Sequence, residues 1–342
     1  MATYKERYNW IDVLKGFSMF FIIYSHLGSN PLSVFFFTFM VQAFFFASGL
    51  TSERGLEKNF KQFVTARFKR LIVPYFAFGI FAIAVKLFVD THETFSMADM
   101  VKQLLYAYRM NTFAITLWFL PCLFVMGIYY YAVAKLIKNK WARLALCVVL
   151  SFGFRLVTEG NTLPWGIDNA VRYLVYYAAG NALADFFNGL SRKPSLVFAK
   201  KWPLLVLLAS AGIVYIQYGY GANYLLQLVG LPAVSAVHIV VNALYAMNSI
   251  VFFSFLAIFM QDVKGLQHFG RQSLAVCCLD LPVNRFVMCA FSAVGLPLQL
   301  AGHGNLLVVA TILSLTALKA ADFVTRYFPV VLGFSTQKAK EE

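Results

Sequence analysis

Charge is what this sequence has least of. Only 13% of its 342 residues are Asp, Glu, Lys or Arg, against roughly 25% in a soluble domain. Hydrophobic residues make up 60% and the mean hydropathy is +0.69. Those values exclude a soluble globule and a disordered chain together. Cysteine is scarce as well: Cys122, Cys147, Cys277, Cys278 and Cys289 are the full set, odd in number and without a CxxC pair. A disulfide scaffold and a paired-cysteine metal site are therefore not expected, and the five read as reduced, buried packing residues. Glycine has no period, so a collagen-like repeat is excluded. HExxH, GxSxG, Walker and GxGxxG patterns are missing, which leaves no signature of the chemistries they serve. Acidic residues are few, 15 against 29 basic ones, for a net charge of +14. In a soluble protein that imbalance points to nucleic acid. Here the basic residues sit in short clusters between apolar runs, the pattern of loops held on the cytoplasmic side of a membrane, and no nucleic-acid partner is expected. The first apolar run ends near His26 without a small-residue cleavage site, so it is not read as a cleavable signal.

What is abundant is apolar and aromatic. Aromatics are 17%, with 36 phenylalanines. Apolar runs of about 15–22 residues, near the length needed to cross hydrocarbon as a helix, fall at 11–28, 33–51, 71–89, 113–134, 144–158, 170–187, 203–219, 240–260, 273–294 and 305–325. The expected fold is all-α: a polytopic membrane protein of about ten transmembrane helices with both termini cytoplasmic. With ten spans, all Lys and Arg face the cytoplasm except Lys86, Lys102, Arg109, Arg155, Arg172 and Arg285, an asymmetry that supports this orientation. One membrane domain is expected over 1–334, with a polar cytoplasmic tail over 335–342. The stretch 222–239 is read as a re-entrant or surface segment, with an eleventh span as the alternative. The loop 90–112 is placed outside as a surface helix.

Ionisable residues inside apolar runs are costly, and each is a functional candidate. The first run holds Asp12, Lys15 and His26. At about 100° per residue, Lys15 and His26 come within about 20° of each other, and Asp12 within about 40° of that face. The result is a polar stripe reaching roughly 16 Å inward from Lys15 to His26. A histidine there suits a general base; the plainer reading is a packing histidine with a snorkelling lysine. Arg67 and Arg70, three apart, project from one face of an α-helix and suit a phosphate clamp, although the positive-inside rule alone places arginines there. Trp118 and Trp165 read as interfacial aromatics. Asp168 and Arg172, four apart at a helix start, are expected to pair, with sugar binding as the alternative. Asp280 is a second intramembrane carboxyl, with Arg285 five residues on; an ion pair and a proton-handling carboxylate are both open. No metal site is expected.

Several of these segments, in order, resemble the acyltransferase-3 family of integral membrane O-acyltransferases. Asn9-Trp10-Ile11-Asp12-Val13-Leu14-Lys15-Gly16, followed by Ser25-His26, resembles its opening. Phe44-Phe45-Phe46-Ala47-Ser48-Gly49 is similar to its second-span end, and Arg67-Phe68-Lys69-Arg70-Leu71-Ile72-Val73-Pro74-Tyr75 to its RxxRLxxPY block. Leu117-Trp118-Phe119-Leu120-Pro121, Leu163-Pro164-Trp165-Gly166-Ile167-Asp168 with Gly180, and Gly270-Arg271-Gln272-Ser273-Leu274 fit its later blocks. Within that family the chain resembles the fucose 4-O-acetylase-like group. Lys15 stands where an arginine is more usual. Met40 and Gln42 stand where the family often has His and Pro, and Asp280 where it often has a further His.

The resemblance implies a membrane O-acetyltransferase in the cytoplasmic (inner) membrane. It would move an acetyl group from cytoplasmic acetyl-CoA to a hydroxyl of a surface polysaccharide or lipid-linked sugar. It implies no permanently bound cofactor; acetyl-CoA is the donor substrate. The implied catalytic residues are His26 and Asp12, with Lys15, Arg67 and Arg70 on the donor, and Trp118, Asp168, Arg172 and Asp280 as acceptor-side candidates. The competing reading is a transporter or flippase of a glycan or lipid-linked precursor, its path lined by the polar stripe. A third is a structural membrane protein whose cations serve topology alone.

Overall fold

Long apolar runs in lipid leave the backbone no water to bond, so each must close its own N–H and C=O groups, and the helix does this locally. The computed structural model describes residues 7–89, 96–109, 111, 113–158, 163–220, 235–295 and 303–333, and among these every regular element is helical. Among the described residues seven helices are long and apolar enough to cross a membrane: Pro31–Leu50, Phe60–Phe88, Phe119–Leu136, Lys201–Tyr220, Ala236–Phe259, Ser273–Ala293 and Gly304–Tyr327. The expected spans at 11–28, 144–158 and 170–187 are helical but fall outside these seven. They hold Asp12 and Lys15, Arg155, and Arg172 and Asp185 respectively. Most of 222–239 lies outside the described residues, as do 90–95 and the tail beyond 333.

The chain forms two compact units, Met1–Thr51 with Tyr176–Ser273, and Ser52–Val175 with Leu274–Glu342. The first is built around α1 (Asn9–His26), which packs on α2 (Pro31–Phe37) and α3 (Met40–Leu50). The expected 33–51 span is thus two pieces. The break falls at Thr38, whose hydroxyl donates to the Phe35 carbonyl and accepts from Gln217 Nε2 at 2.8 Å. A hydroxyl turned onto its own helix backbone bends it. The α1–α2 corner is fixed by Asn30, whose side chain accepts from the Leu32 and Ser33 N–H groups while Ser33 Oγ accepts from the Asn30 N–H. Pro31 follows at the first helical position, where its missing N–H costs nothing. Asn30→Ala is expected to cost about 1 kcal/mol, read as a lower midpoint of thermal unfolding in detergent; an unchanged midpoint would show the cap to be redundant.

The same unit holds α13 (Lys201–Tyr220), α14 (Ser235–Phe259) and α15 (Lys264–Arg271). In the chain between α3 and α13 come α4 (Glu53–Leu56), α5 (Phe60–Arg67), α6 (Val73–Val89), α7 (Met97–Tyr106), α8 (Phe119–Leu136), α9 (Lys140–Val157), α10 (Ile167–Arg172), α11 (Leu174–Arg192) and α12 (Leu196–Ala199). Phenylalanines fill the space among α1, α2 and α14. Phe21 stacks on Phe36 at 4.0 Å, and Phe253 meets both Phe21 and Phe39. Gly49 and Gly180 explain two of the sequence blocks. A Cβ on Gly49 would overlap the Tyr177 carbonyl and one on Gly180 the Phe46 carbonyl, so α3 and α11 touch backbone to backbone, as small residues permit between membrane helices.

The second unit contains α4 to α10, α16 (Ser273–Ala293) apart from its first residue, and α17 (His303–Tyr327). Arg143, only 6% exposed, donates to the Ile137 and Lys138 carbonyls and to Glu53 Oε1. It thereby closes the turn before α9 and ties it to α4. The cysteines are free; four are buried as expected, whereas Cys289 is exposed on α16.

Candidate active site

In the first unit the site begins with a close approach. A Cβ on Gly270 would overlap the Asp12 carbonyl, and one on Gly16 would come 3.0 Å from the Leu266 carbonyl. The backbones of α1 and α15 therefore lie against each other without intervening side chains. This contact brings Arg271 to Asp12. The Asp12 carboxylate, 9% exposed at its side chain, accepts from Arg7 Nε at 2.9 Å and has Arg271 Nε at 3.6 Å, both on Oδ2. Asp12 is thus an anchor for two arginines at the start of α1. Sequence reasoning had Arg271 only as part of a block, and Arg7 only as a topology charge. Asp12→Asn is expected to cost about 1–3 kcal/mol, moderated because both guanidiniums are about half exposed and water screens them. Thermal stability of the purified variant measures this; a midpoint equal to the parent would deny the anchor role.

Lys15 lies half-buried one turn on, and His26 half-buried in the last turn. After His26 the helix ends, with the Leu27 N–H bonded to the Tyr24 carbonyl, and Tyr24 Oη is 3.3 Å from Asn30 Oδ1. The imidazole therefore stands at a corner whose backbone is fixed on both sides.

In the second unit the Arg67 block has a local form that α-helical spacing does not give. Phe68–Ile72 is a π turn, with the Val73 N–H bonded five residues back to the Phe68 carbonyl. Pro74 is the physical reason: it has no N–H and its ring would strike the Arg70 carbonyl of a regular α-helix, so the chain widens by one residue. At this wider turn Arg67 is half-buried and Arg70 exposed. The Arg67 guanidinium lies against Gly127 on α8, where a Cβ would overlap it. It donates from Nη2 to the Leu123 carbonyl at 2.8 Å and sits 5.4 Å from the Phe63 ring centre.

The same unit carries the Trp118 and Asp168 residues. Trp118 is 6% exposed and roofed by the Arg109 guanidinium at 4.7 Å, a cation–π contact. Trp165, at φ +58, donates its indole N–H to the Leu105 carbonyl at 3.0 Å. Together with Tyr75 Oη on the Leu104 carbonyl, it holds the last turn of α7. Asp168 and Arg172 do not pair. Arg172 Nη2 donates instead to the Thr158 carbonyl at 2.9 Å, where α9 ends, and the open carbonyls of a helix C-terminus attract a cation. Asp168 is left 3% exposed, and among the described residues neither of its carboxylate oxygens nor Asn169 Oδ1 beside it meets a hydrogen-bond donor. Asp280 is 3% exposed on α16, while Arg285 Nη1 is directed to the Phe113 carbonyl at 3.3 Å.

A chain that is all-helical among the described residues, with seven membrane-length apolar helices there, some bearing cationic and protonatable side chains, belongs to the multi-pass membrane proteins. More particularly, residues 8–319 match the acyltransferase domain of the acyltransferase-3 family, and the chain belongs to that family. It is therefore a membrane acyltransferase, with an acyl donor and an acceptor as its substrates. No curated protein and no solved structure matches the chain.

Proposed function

We propose that the protein is an O-acetyltransferase of the fucose 4-O-acetylase-like group. It moves an acetyl group from cytoplasmic acetyl-CoA to a hydroxyl of a cell-surface glycan sugar, as a single membrane domain over 1–334. In this reading the chain spans the cytoplasmic (inner) membrane ten times, with both termini and the tail 335–342 inside. The observation that carries it is α1, with an arginine-bound carboxylate at one end and a histidine at the other. That helix joins a cationic surface to a proton acceptor roughly 16 Å beyond Lys15.

Each residue then has a task. Lys15 and Arg70 meet the donor's phosphates, and Arg67 holds the π turn on α8 while contributing its charge. Asp12 keeps Arg7 and Arg271 at the head of α1, so its catalytic part is indirect. His26 takes the proton of the sugar hydroxyl as the hydroxyl oxygen attacks the thioester carbonyl carbon. The carbon–sulfur bond breaks, and the departing CoA thiolate recovers that proton from the imidazolium. On the acceptor side, the unpartnered oxygens of Asp168 and Asn169 offer hydrogen-bond acceptors to sugar hydroxyls, and Trp118 an aromatic wall. Arg172 braces α10 beneath them, and Asp280 is a further carboxyl near the acceptor path.

The test uses isolated membranes and acetyl-labelled acetyl-CoA. Label is expected in the glycan or lipid-linked sugar fraction, as base-labile O-acetyl groups, only when the chain is present. Equal incorporation without the chain would sink the reading. Movement of a glycan across the membrane without acetylation would favour a transporter instead.

A further inference from the structure

A π turn is a rare and weakly held form of helix, so something outside the turn must hold Phe68–Ile72 in place. Pro74 removes the α-helical alternative and offers no N–H to the Lys69 carbonyl five residues back, while the Val73 N–H is bonded to the Phe68 carbonyl. Against the Lys69 carbonyl lies the last described residue of the chain. After α17 a short 3-10 turn, Pro329–Leu332, buries Pro329 and Leu332 and packs on both the π turn and α6. It ends at Gly333, whose φ of +72 is tolerated because it lacks a side chain. A Cβ there would overlap the Lys69 carbonyl and stand 2.9 Å from the Arg70 Cα. The Gly333 N–H closes its own turn on the Val330 carbonyl at 2.9 Å, so its bare Cα faces Lys69 and Arg70.

This turn lies beyond residue 319, the last residue that matches the family's acyltransferase domain. We infer that Pro329–Gly333 is a positioning element, which holds the Arg67–Arg70 turn in its donor-binding form through Gly333 against the Lys69–Arg70 backbone. The inference rests on the reading that Arg70 meets the donor's phosphates. It adds that the aim of Arg70 is set by a segment about 260 residues away in sequence, as the numbering gives.

Two measurements test it. In membranes, Gly333→Ala and a truncation after Tyr327 are expected to raise the apparent KM for acetyl-CoA about tenfold with kcat nearly unchanged, the split expected when donor binding alone is disturbed. A truncation after Gly333 keeps the turn and is expected to keep the parental KM. In a Cys289→Ser background, a Lys69→Cys probe is expected to react faster with a water-soluble maleimide once the turn is removed. The probe reports the brace whether or not the donor reading holds. If Arg70→Ala leaves the KM unchanged while labelling still accelerates, the donor reading fails and the brace stands. If Arg70→Ala raises the KM but Gly333→Ala and the Tyr327 truncation leave it at the parental value, the positioning role is overturned. Unchanged labelling on removal of the turn overturns the brace itself.

Discussion

His26→Ala is expected to lower acetyl transfer by about 10²–10⁴-fold, the usual contribution of a positioned proton acceptor, while the protein still inserts and folds. The corner around His26 is held by other groups. Asn30 caps α2 with two N–H bonds, and the turn closes through Leu27 and Tyr24. The imidazole is half-buried at the helix end, so truncating it opens no core cavity. A rate loss without a shift in thermal midpoint separates chemistry from stability. His26→Gln, which keeps a polar side chain of similar reach but no proton acceptor of comparable basicity, is expected to be equally inactive. Parental rates in either variant would remove His26 as the base, since no supporting effect could mask a missing one.

Arg67→Ala is expected to be the more damaging of the two arginine substitutions, because this side chain does two things. Its guanidinium occupies the slot at Gly127 and satisfies the Leu123 carbonyl. Removing it leaves a cavity between helices and takes from the Leu123 carbonyl the donor that Arg67 adds to the helix bond, and a lost charged hydrogen bond alone costs about 1.5–3 kcal/mol. The π turn then loses its hold on α8, so a lower thermal midpoint and a KM for acetyl-CoA raised about 10- to 100-fold should appear together. Arg67→Lys should rescue little, since an ammonium cannot reproduce the planar fork. Arg70→Ala, at an exposed position, should raise the KM with the midpoint unchanged. If Arg67→Ala altered neither quantity, its packing against α8 would be incidental.

Much of the helical layout was legible because hydropathy and length set it. Every apolar run named from the sequence contains a helix, at boundaries shifted by a few residues. The position of His26 and the Asp12–Lys15 end of α1 was legible for the same reason: helical arithmetic needs no tertiary knowledge. What the pattern could not give were choices made by long-range partners. Asp168 and Arg172 satisfy the i, i+4 spacing of a pair, yet the end of α9 outcompetes the carboxylate for the guanidinium. Trp118 carries the amphipathic profile of an interfacial residue, but Arg109 covers it. The π turn was in reach, since Pro74 four residues after Arg70 is a local signal that a regular helix cannot pass unaltered. The Thr38 break was not, because it depends on Gln217, 179 residues away.

The glycine contact between α1 and α15 sets a limit on how this protein can work. With main chain pressed on main chain at Gly16 and Gly270, this end of α1 has no layer of side chains on which to slide or roll along α15, so the contact favours a fixed post over a piston. Reciprocating motion that brings acyl donor and acceptor together then falls to the substrates themselves or to elements that pack less tightly.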